Sequence, residues 1–476
     1  MNTTPNLSAM THEEKDNLIR TLLMHIAKQD ERIKELERRL GLDSSNSGKP
    51  PGSDGYGKAK GSSRQNNLRE KSGRKSGGQE GHAGSHLKQT ENPDKIVDHC
   101  PTQCVGCGEA LGVEQSTGHK KRQVFDIPKP QPIEVTEHRV HSCQCPTCGT
   151  KTDAVFPDDV GAPTQYGANI AAVVVYFQQW QLIPEDRLVD VMKDIFGIEL
   201  TAATIAAMSQ RKAEQWSDLA NDIGEKVRQA PVKHMDETGL RVCAALHWLH
   251  VASTFLLTFY RAPLRRNAMM ESVSGIIVHD FWKPYLAMPN VTHALCNAHH
   301  LRELKALIEF DNEPWALQMY RFLRHACHAV NLSRDKQQPL DPVFLTWLSA
   351  RYDRIIAQGL AYHQAMTPLD PPNAKKRGRA RQRKGHNLVE RLRDHKDDAL
   401  RFLTNLAVPF SNNQAERDIR MMKLKQKISG CFRSEAGART FATLRTVLST
   451  ARKQGWNILD TLTTPPDILA LNLRTA

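Results

Sequence analysis

Two groups of residues in this chain could do chemistry: scattered acids and paired cysteines. Phosphodiesters are commonly cut and joined by divalent metals held between carboxylates. Two ions about 3.5–4 Å apart activate the attacking oxygen and stabilise the leaving one. Asp236 lies in VKHMDETG, at the end of a short β-type run and just before an expected Gly turn. Asp280 lies in IIVHDFWKPY, at the end of another run. Acids at the ends of neighbouring strands can project into one site. Glu416 lies in FSNNQAERDIRMMKLKQKIS, one turn into an expected helix that Ser411 or Asn412 can cap. Arg420, Lys423 and Lys427 follow it at +4, +7 and +11, on one helix face. A carboxylate with cations along its face suits a metal beside a phosphate backbone. Glu237, Glu303 and Glu309 are competing carboxylates that spacing alone does not reject.

The second group is a pair of knuckles, Cys104-Val-Gly-Cys107-Gly and Cys145-Pro-Thr-Cys148-Gly. Each turn sets two thiolates on one face of a tight bend, and the following Gly lets the backbone curl past an ion. Cys104, Cys107, Cys145 and Cys148 together would supply a tetrahedral, structural Zn²⁺ site. Gln123–Ile127 and Ile133–Val140 read as a hairpin between the knuckles, as in a zinc ribbon. Cys100, Cys143, His99 and His141 are alternative ligands. Six of the ten cysteines lie between 100 and 148, with no leading signal pattern, which favours metal over disulfides.

These residues need elements to position them. Residues 12–40 read as one helix with Ile19, Ile26, Ile33 and Leu40 on one heptad seam and Leu22, Gln29 and Leu36 on the other. That pattern favours a parallel two-stranded coiled coil. A Gly/Ser/Lys/Arg tract over 43–95 cannot bury enough apolar surface to fold and reads as a flexible basic linker. Residues 165–230 show helical spacing, with Thr201 and Thr204 at the start of one helix. From 231 the runs become short and β-like: Val232–Asp236, Arg241–Val251, Phe255–Tyr260, Ile276–Asp280 and Thr292–Cys296, with a helix expected over Arg265–Val273. After Ala298 the chain turns helical for about 75 residues, then meets the basic run KKRGRARQRK at 375–384. Helices resume over Leu388–Leu406, from Asn412, and over Ala438–Lys453, with Gly455 as a stop.

Lys and Arg number 65 against 52 Asp and Glu, a net +13, which points to a polyanionic partner. No apolar run approaches the roughly 18 residues of a membrane span, so membrane partners are not expected.

The chain resembles the insertion-sequence 66 transposase family. The resemblance rests on the N-terminal coiled coil with SSNSGKPPGSD, the CxxCG ribbon, HMDETG and the Asp280 segment. It also rests on CNAHHLREL, RLRDHKDDALRFL and VPFSNNQAERDIRMMKLKQKISGCFRS with LSTARKQG. It implies a multidomain α+β protein: coiled-coil helix 1–42, linker 43–95, zinc ribbon 96–160 and helical DNA-binding region 161–230. A ribonuclease-H-like mixed α/β core would comprise 231–300 and 406–455, with a helical insertion at 301–405 and a tail at 456–476. It further implies that Asp236, Asp280 and Glu416 bind two catalytic Mg²⁺, and that Lys423 is the basic residue seven after the Glu. Where the family has Asp-Gly-Tyr-like residues, this chain has Asp280-Phe-Trp-Lys-Pro-Tyr285, whose aromatic residues could stack on an unpaired base. Cys296, His299 and Arg302 could form a polar site near the second acid, although a core role is the stronger expectation.

The implied activity is DNA transposition in a bacterial, nucleoid-associated cytoplasmic protein. It would bind an element's terminal inverted repeats, cleave them and join them to target DNA. Double-stranded DNA and a second protomer, paired through the coiled coil, would be its partners. Relatives are often encoded with small companion proteins, which would be further partners. The alternatives are a catalytically dead zinc-dependent DNA-binding regulator and a ribonuclease-H-like nuclease without strand transfer.

Overall fold

The computed structural model describes residues 10–42, 46, 88–118, 120–126, 133–148, 150–268, 270–367 and 382–475. Most of the basic linker and of KKRGRARQRK lies outside them. Helix α1 (His12–Gly41) starts at a reciprocal cap, with the Glu14 N–H donating to Thr11 Oγ1 and the Thr11 N–H donating to the Glu14 carboxylate. Ile19, Leu22, Ile26, Ile33, Leu36 and Leu40 are exposed along it. Its last turn is anchored: Arg38 is buried and donates to Asp311 at 3.1 Å.

In the cysteine-rich segment, β1 (Ser142–Gln144) pairs antiparallel with β2 (Lys151–Asp153). The hairpin expected around KPQP is not seen: 123–126 and 133–140 form no strand, and 127–132 lie outside the described residues. Val124, Phe125 and Val135 stay exposed, so no apolar burial holds a ladder there. The strands instead flank the second knuckle.

Helices α2 (Ala168–Val175), α3 (Glu185–Phe196), α4 (Ala202–Gln215) and α5 (Ser217–Gln229) follow. Thr201 caps α4 by accepting the Thr204 N–H, as its position suggested. Val174, Leu188, Met192, Ile205 and Met208 bury a small core among the first three. A π-helical turn at Tyr176–Trp180 frees backbone carbonyls, and buried Arg445 donates to that of Gln179.

The sheet has five strands: β3 (Val232–Val242), β4 (Ala245–Ser253), β5 (Thr258–Leu264), β6 (Gly275–His279) and β7 (Val291–Leu295). Their order is β5-β4-β3-β6-β7, with the first three antiparallel and β6 and β7 parallel to β3. Two expectations are corrected. Gly239 is no turn: β3 runs through it, paired with Trp248, and the hairpin turns at Cys243–Ala244, where φ is 47° and 66°. Both central residues have positive φ, the primed geometry that suits strand twist, but neither is the Asn or Gly that advertises it. Arg265–Val273 is not a helix among its described residues, because Arg266 is drawn across to Glu237 and to two indoles.

Short helix α6 (Lys283–Leu286) separates β6 from β7. Beyond β7 come α7 (Asn297–Ala306), a π turn at Leu307–Asp311, α8 (Pro314–Asp335), α9 (Pro342–Gln364), α10 (Lys384–Asp394) and α11 (Lys396–Thr404). They share a core of Trp315, Phe322, Tyr352, Val389 and Leu392 that reaches Val278 and Ala294 of the sheet. The chain then returns in α12 (Asn413–Ser429) and α13 (Glu435–Gln454), which ends at Gly455 with φ 79°. The expected tail carries α14 (Ile458–Thr463) and α15 (Pro466–Leu471), whose Leu462 and Leu469 are buried. No helix among the described residues is long and apolar enough to cross a membrane.

Alternation along the strands sorts the two faces. Met235, Ala252 and Ile277 pack with α5 and α13, whereas Leu240, Val242 and Val251 pack against α12. The free edge of β5 is closed by α13: Thr450 Oγ1 accepts the Thr258 N–H and donates to the Thr258 carbonyl, and Thr446 Oγ1 accepts the Tyr260 N–H. Two threonines one turn apart thus replace a neighbouring strand. Replacing Thr450 with Val keeps the shape but strands two buried backbone groups. We expect a loss of about 1–3 kcal/mol in urea unfolding.

Candidate active site and metal centre

The parallel pairing of β3 with β6 ends at His234 and Val278, two residues before each of the first two acids. His234 lies opposite Val278, and continuing that register brings position 236 beside position 280. Asp236 also lies opposite Val251, so its side chain is on the face that α12 covers. It therefore sits within β3, not at its end, two residues past the last residue paired with β6. Burial first, then the negative charge of Asp280 and Glu237 and, further down, Glu416, push the Asp236 carboxyl well above its ordinary range.

Asp280 leaves the sheet on an unusual bend. Phe281 has φ 72°, the Trp282 N–H donates to Asp280 Oδ1 at 3.1 Å, and the Phe281 N–H donates to His279 Nδ1. A non-glycine residue in that region costs about 1–2 kcal/mol. The Phe281 ring recovers contact against His395 and the Arg391 guanidinium.

Glu416 is in the first turn of α12, which is tied down by Asn412. Asn412 does not cap the helix with its side chain, contrary to expectation. Its Nδ2 donates to the Met235 carbonyl at 2.8 Å and its Oδ1 pairs with His234 Nδ1 at 2.9 Å, so the buried amide is needed by β3. With Nδ2 donating, Oδ1 can only accept, so His234 carries its proton on Nδ1. Burial pulls the His234 pKa to about 4, despite the opposing Asn412 bond, so the ring is neutral. The Asn412 N–H donates to Cys296 Sγ at 3.1 Å, adding the β7–α7 junction to the same knot.

The competing acids are engaged elsewhere. The Glu237 side chain is 3 % exposed, accepts two bonds from Arg266 and one from Tyr285 Oη at 2.8 Å, and points away from Asp236. Arg266 is itself sandwiched between Trp248 and Trp282. Glu303 accepts from Arg391, and Glu309 from Asn46. Arg420, Lys423 and Lys427 are exposed along α12, Lys423 Nζ reaching the Gly239 carbonyl at 3.4 Å.

Cys296, His299 and Arg302 meet the third acid, not the second. His299 Nδ1 is 3.9 Å and Arg302 Nη2 3.7 Å from the Glu416 carboxylate. Burial works against the His299 cation, but the Cys296 sulfur and Glu416 outweigh it, raising its pKa to about 9. The spacing Cys-x-x-His at a strand-to-helix junction was the available signal. The link to Glu416 crosses more than a hundred residues and left none.

In the cysteine-rich segment each knuckle is formed. Gly108 has φ 80°, its N–H donates to the Cys104 carbonyl, and the Cys145 N–H donates to the Thr150 carbonyl. Hydrogen bonds from Thr150, then Cys145, lower the Cys148 thiol to about 7. Thiols already drawn toward thiolate fit a Zn²⁺ site. Among the described residues, the four sulfurs do not form a group within 4.8 Å, and neither do the three acids; Cys296, His299 and Glu416 do. A buried carboxyl such as Asp236, held high by neighbouring carboxylates, is a donor that a hard cation would relieve.

A mixed sheet with Asp236 inside its central strand, Asp280 just past the parallel neighbour and a basic helix beside them suits a nucleic-acid-processing enzyme. The chain belongs to the transposase IS66 family, whose family model matches residues 163–440. A second model, of a family of unknown function, matches residues 2–88. No curated protein matches the chain.

The raised Asp236 pKa has a sign. The native state holds this proton more tightly than the unfolded chain, so stability falls as pH rises from the ordinary carboxyl range through the raised value. Asp236→Asn should therefore raise the melting temperature of the Mg²⁺-free protein at pH 7.5, with the gain shrinking toward pH 4. Added Mg²⁺ should stabilise wild type more than the variant; thermal unfolding scans check both.

Proposed function

We propose that this chain is a DDE transposase that frees 3′ ends at the terminal inverted repeats of an insertion element and joins them to target DNA. The observation that carries this reading is the continued β3–β6 register, with α12 held over it by Asn412. The charges of Asp280 and Glu416 that act on buried Asp236 support grouping the three acids, on a sheet whose strand order would suit a ribonuclease-H-like core. Two Mg²⁺ bound by these carboxylates would supply activation of the attacking oxygen and stabilisation of the leaving one. Asp236 and Asp280, fixed by adjacent strands, would orient the scissile phosphate from the sheet side, and Glu416 would close the site from α12. Arg420, Lys423 and Lys427 would hold successive phosphates along the helix. Because the carboxylates would recruit the attacking oxygen, no serine or tyrosine nucleophile is required.

The remaining parts have supporting roles in the same reading. The knuckles at Cys104/Cys107 and Cys145/Cys148, folded around Zn²⁺, and helices α2–α5 would bind the element ends. The exposed apolar stripe of α1 would pair two protomers, since a coiled-coil seam is what such a stripe stabilises. Small companion proteins would be further partners of the assembly.

A labelled, pre-cut end incubated with plasmid and Mg²⁺ tests the reading. Wild type should join the end; Asp236→Asn, Asp280→Asn and Glu416→Ala should each lower joining by at least about a hundredfold, as loss of a principal electrostatic group does. Joining that survives Glu416→Ala would sink the assignment. Lys423→Ala should weaken end binding across all sequences and reduce the salt slope by about one.

A further inference from the structure

Among the described residues, one group of three metal-capable atoms comes together within 4.8 Å: the Cys296 sulfur, a His299 ring nitrogen and a Glu416 carboxylate oxygen. Two of those atoms are orphans. His299 Nδ1 and Glu416 Oε1 are buried and have no hydrogen-bond partner, and they face each other at 3.9 Å. That gap is too wide for a hydrogen bond. A slight turn of the carboxylate lets both atoms reach one ion at about 2.0–2.1 Å.

The surroundings favour a metal over a simple polar contact. Cys296 is 2 % exposed and its sulfur accepts the Asn412 N–H at 3.1 Å, a bond that stabilises a thiolate ligand. Arg302 lies nearest Glu416 Oε2, at 3.7 Å, which leaves Oε1 for the ion. All three ligands stand on fixed elements: the β7–α7 junction, the first turn of α7 and the first turn of α12. Sulfur and imidazole with one carboxylate select a thiophilic borderline cation over Mg²⁺, which takes oxygen ligands.

We propose that Cys296, His299 and Glu416 form a second Zn²⁺ site, separate from the knuckles, which shares Glu416 with the Mg²⁺ set. Zn²⁺ held there occupies the carboxylate that the Mg²⁺ set requires, so zinc switches the enzyme off. The inhibition rests on the proposed role of Glu416; the binding site does not.

The test uses the full-length chain, stripped of metal and re-equilibrated with Zn²⁺, then gel-filtered and assayed for bound zinc. Wild type should retain one equivalent more than Cys296→Ser and His299→Gln, because the knuckle cysteines are common to all three. Serine keeps an acceptor for the Asn412 N–H, and circular dichroism checks that both variants are folded. Equal zinc content in wild type and two folded variants overturns the site. In the joining assay at fixed Mg²⁺, Cys296→Ser should need at least about tenfold more Zn²⁺ for half-inhibition. Equal sensitivity overturns the switch. A chain that holds the extra equivalent but joins no DNA would instead refute the transposase reading and leave the site standing.

Discussion

The buried amide of Asn412 is the contact on which the rest of the site depends. Its side chain serves β3 through Met235 and His234, and its backbone N–H serves Cys296 at the β7–α7 junction. Three segments far apart in the chain are thereby locked within a few ångströms. A helix N-terminus usually spends such a side chain on its own N–H groups. Here the amide is spent on tertiary fixing, and its buried partners would be costly to leave unmade. The position of Glu416, and the direction in which Arg420, Lys423 and Lys427 point, follow from that choice.

Against this knot works the repulsion of the acids. Burial and the negative charges of Asp280, Glu237 and Glu416 all act on the Asp236 carboxyl. The frame withstands the repulsion because the opposite face of β3 is tied as firmly. Glu237 holds Arg266 and Tyr285, and Arg266 lies between two indoles. Tyr285 belongs to α6, which begins three residues after Asp280, so this tie also anchors the second acid. Two adjacent carboxylates thus have opposite tasks. Glu237 is paired and holds the scaffold, while among the described residues the Asp236 carboxylate accepts from its neighbour's N–H and is surrounded by the charges of other acids.

Much of this was legible in the sequence, for reasons that differ by element. The strands were visible as short apolar runs, and α12 and α13 as helical periods with a glycine stop, because burial periodicity is local. Asp280 past the end of β6 and Glu416 in the first turn of α12 were legible, but Asp236 was expected at a strand end and lies inside β3, and the pairing of β3 with β6 is a long-range fact. The hairpin turn at Cys243–Ala244 was not legible, since its residues carry no turn chemistry. Nor was the fate of Arg265–Val273, whose helical pattern lost to the pull of Glu237 on Arg266. Glu237, Glu303 and Glu309 could be told from Asp236 only by their partners. The role of Asn412 was misread because capping is the local habit of Asn and tertiary bonding leaves no local mark.

The bend after Asp280 shows how a departure from a familiar motif can be physically consistent. A strand that simply continued would carry Asp280 and its successors along the sheet, away from Glu237. The positive φ of Phe281 turns the chain at once, so that Asp280 stays at the end of the parallel pair and Tyr285 returns to β3. Glycine would make that turn without strain, and a family pattern of Asp-Gly-Tyr has it at this place. Phenylalanine bears the strain and offsets it with a ring packed between His395 and Arg391, both from the helices inserted before α12. The residue that bends the strand after Asp280 therefore also contacts the inserted helices, at Arg391 of α10 and at His395.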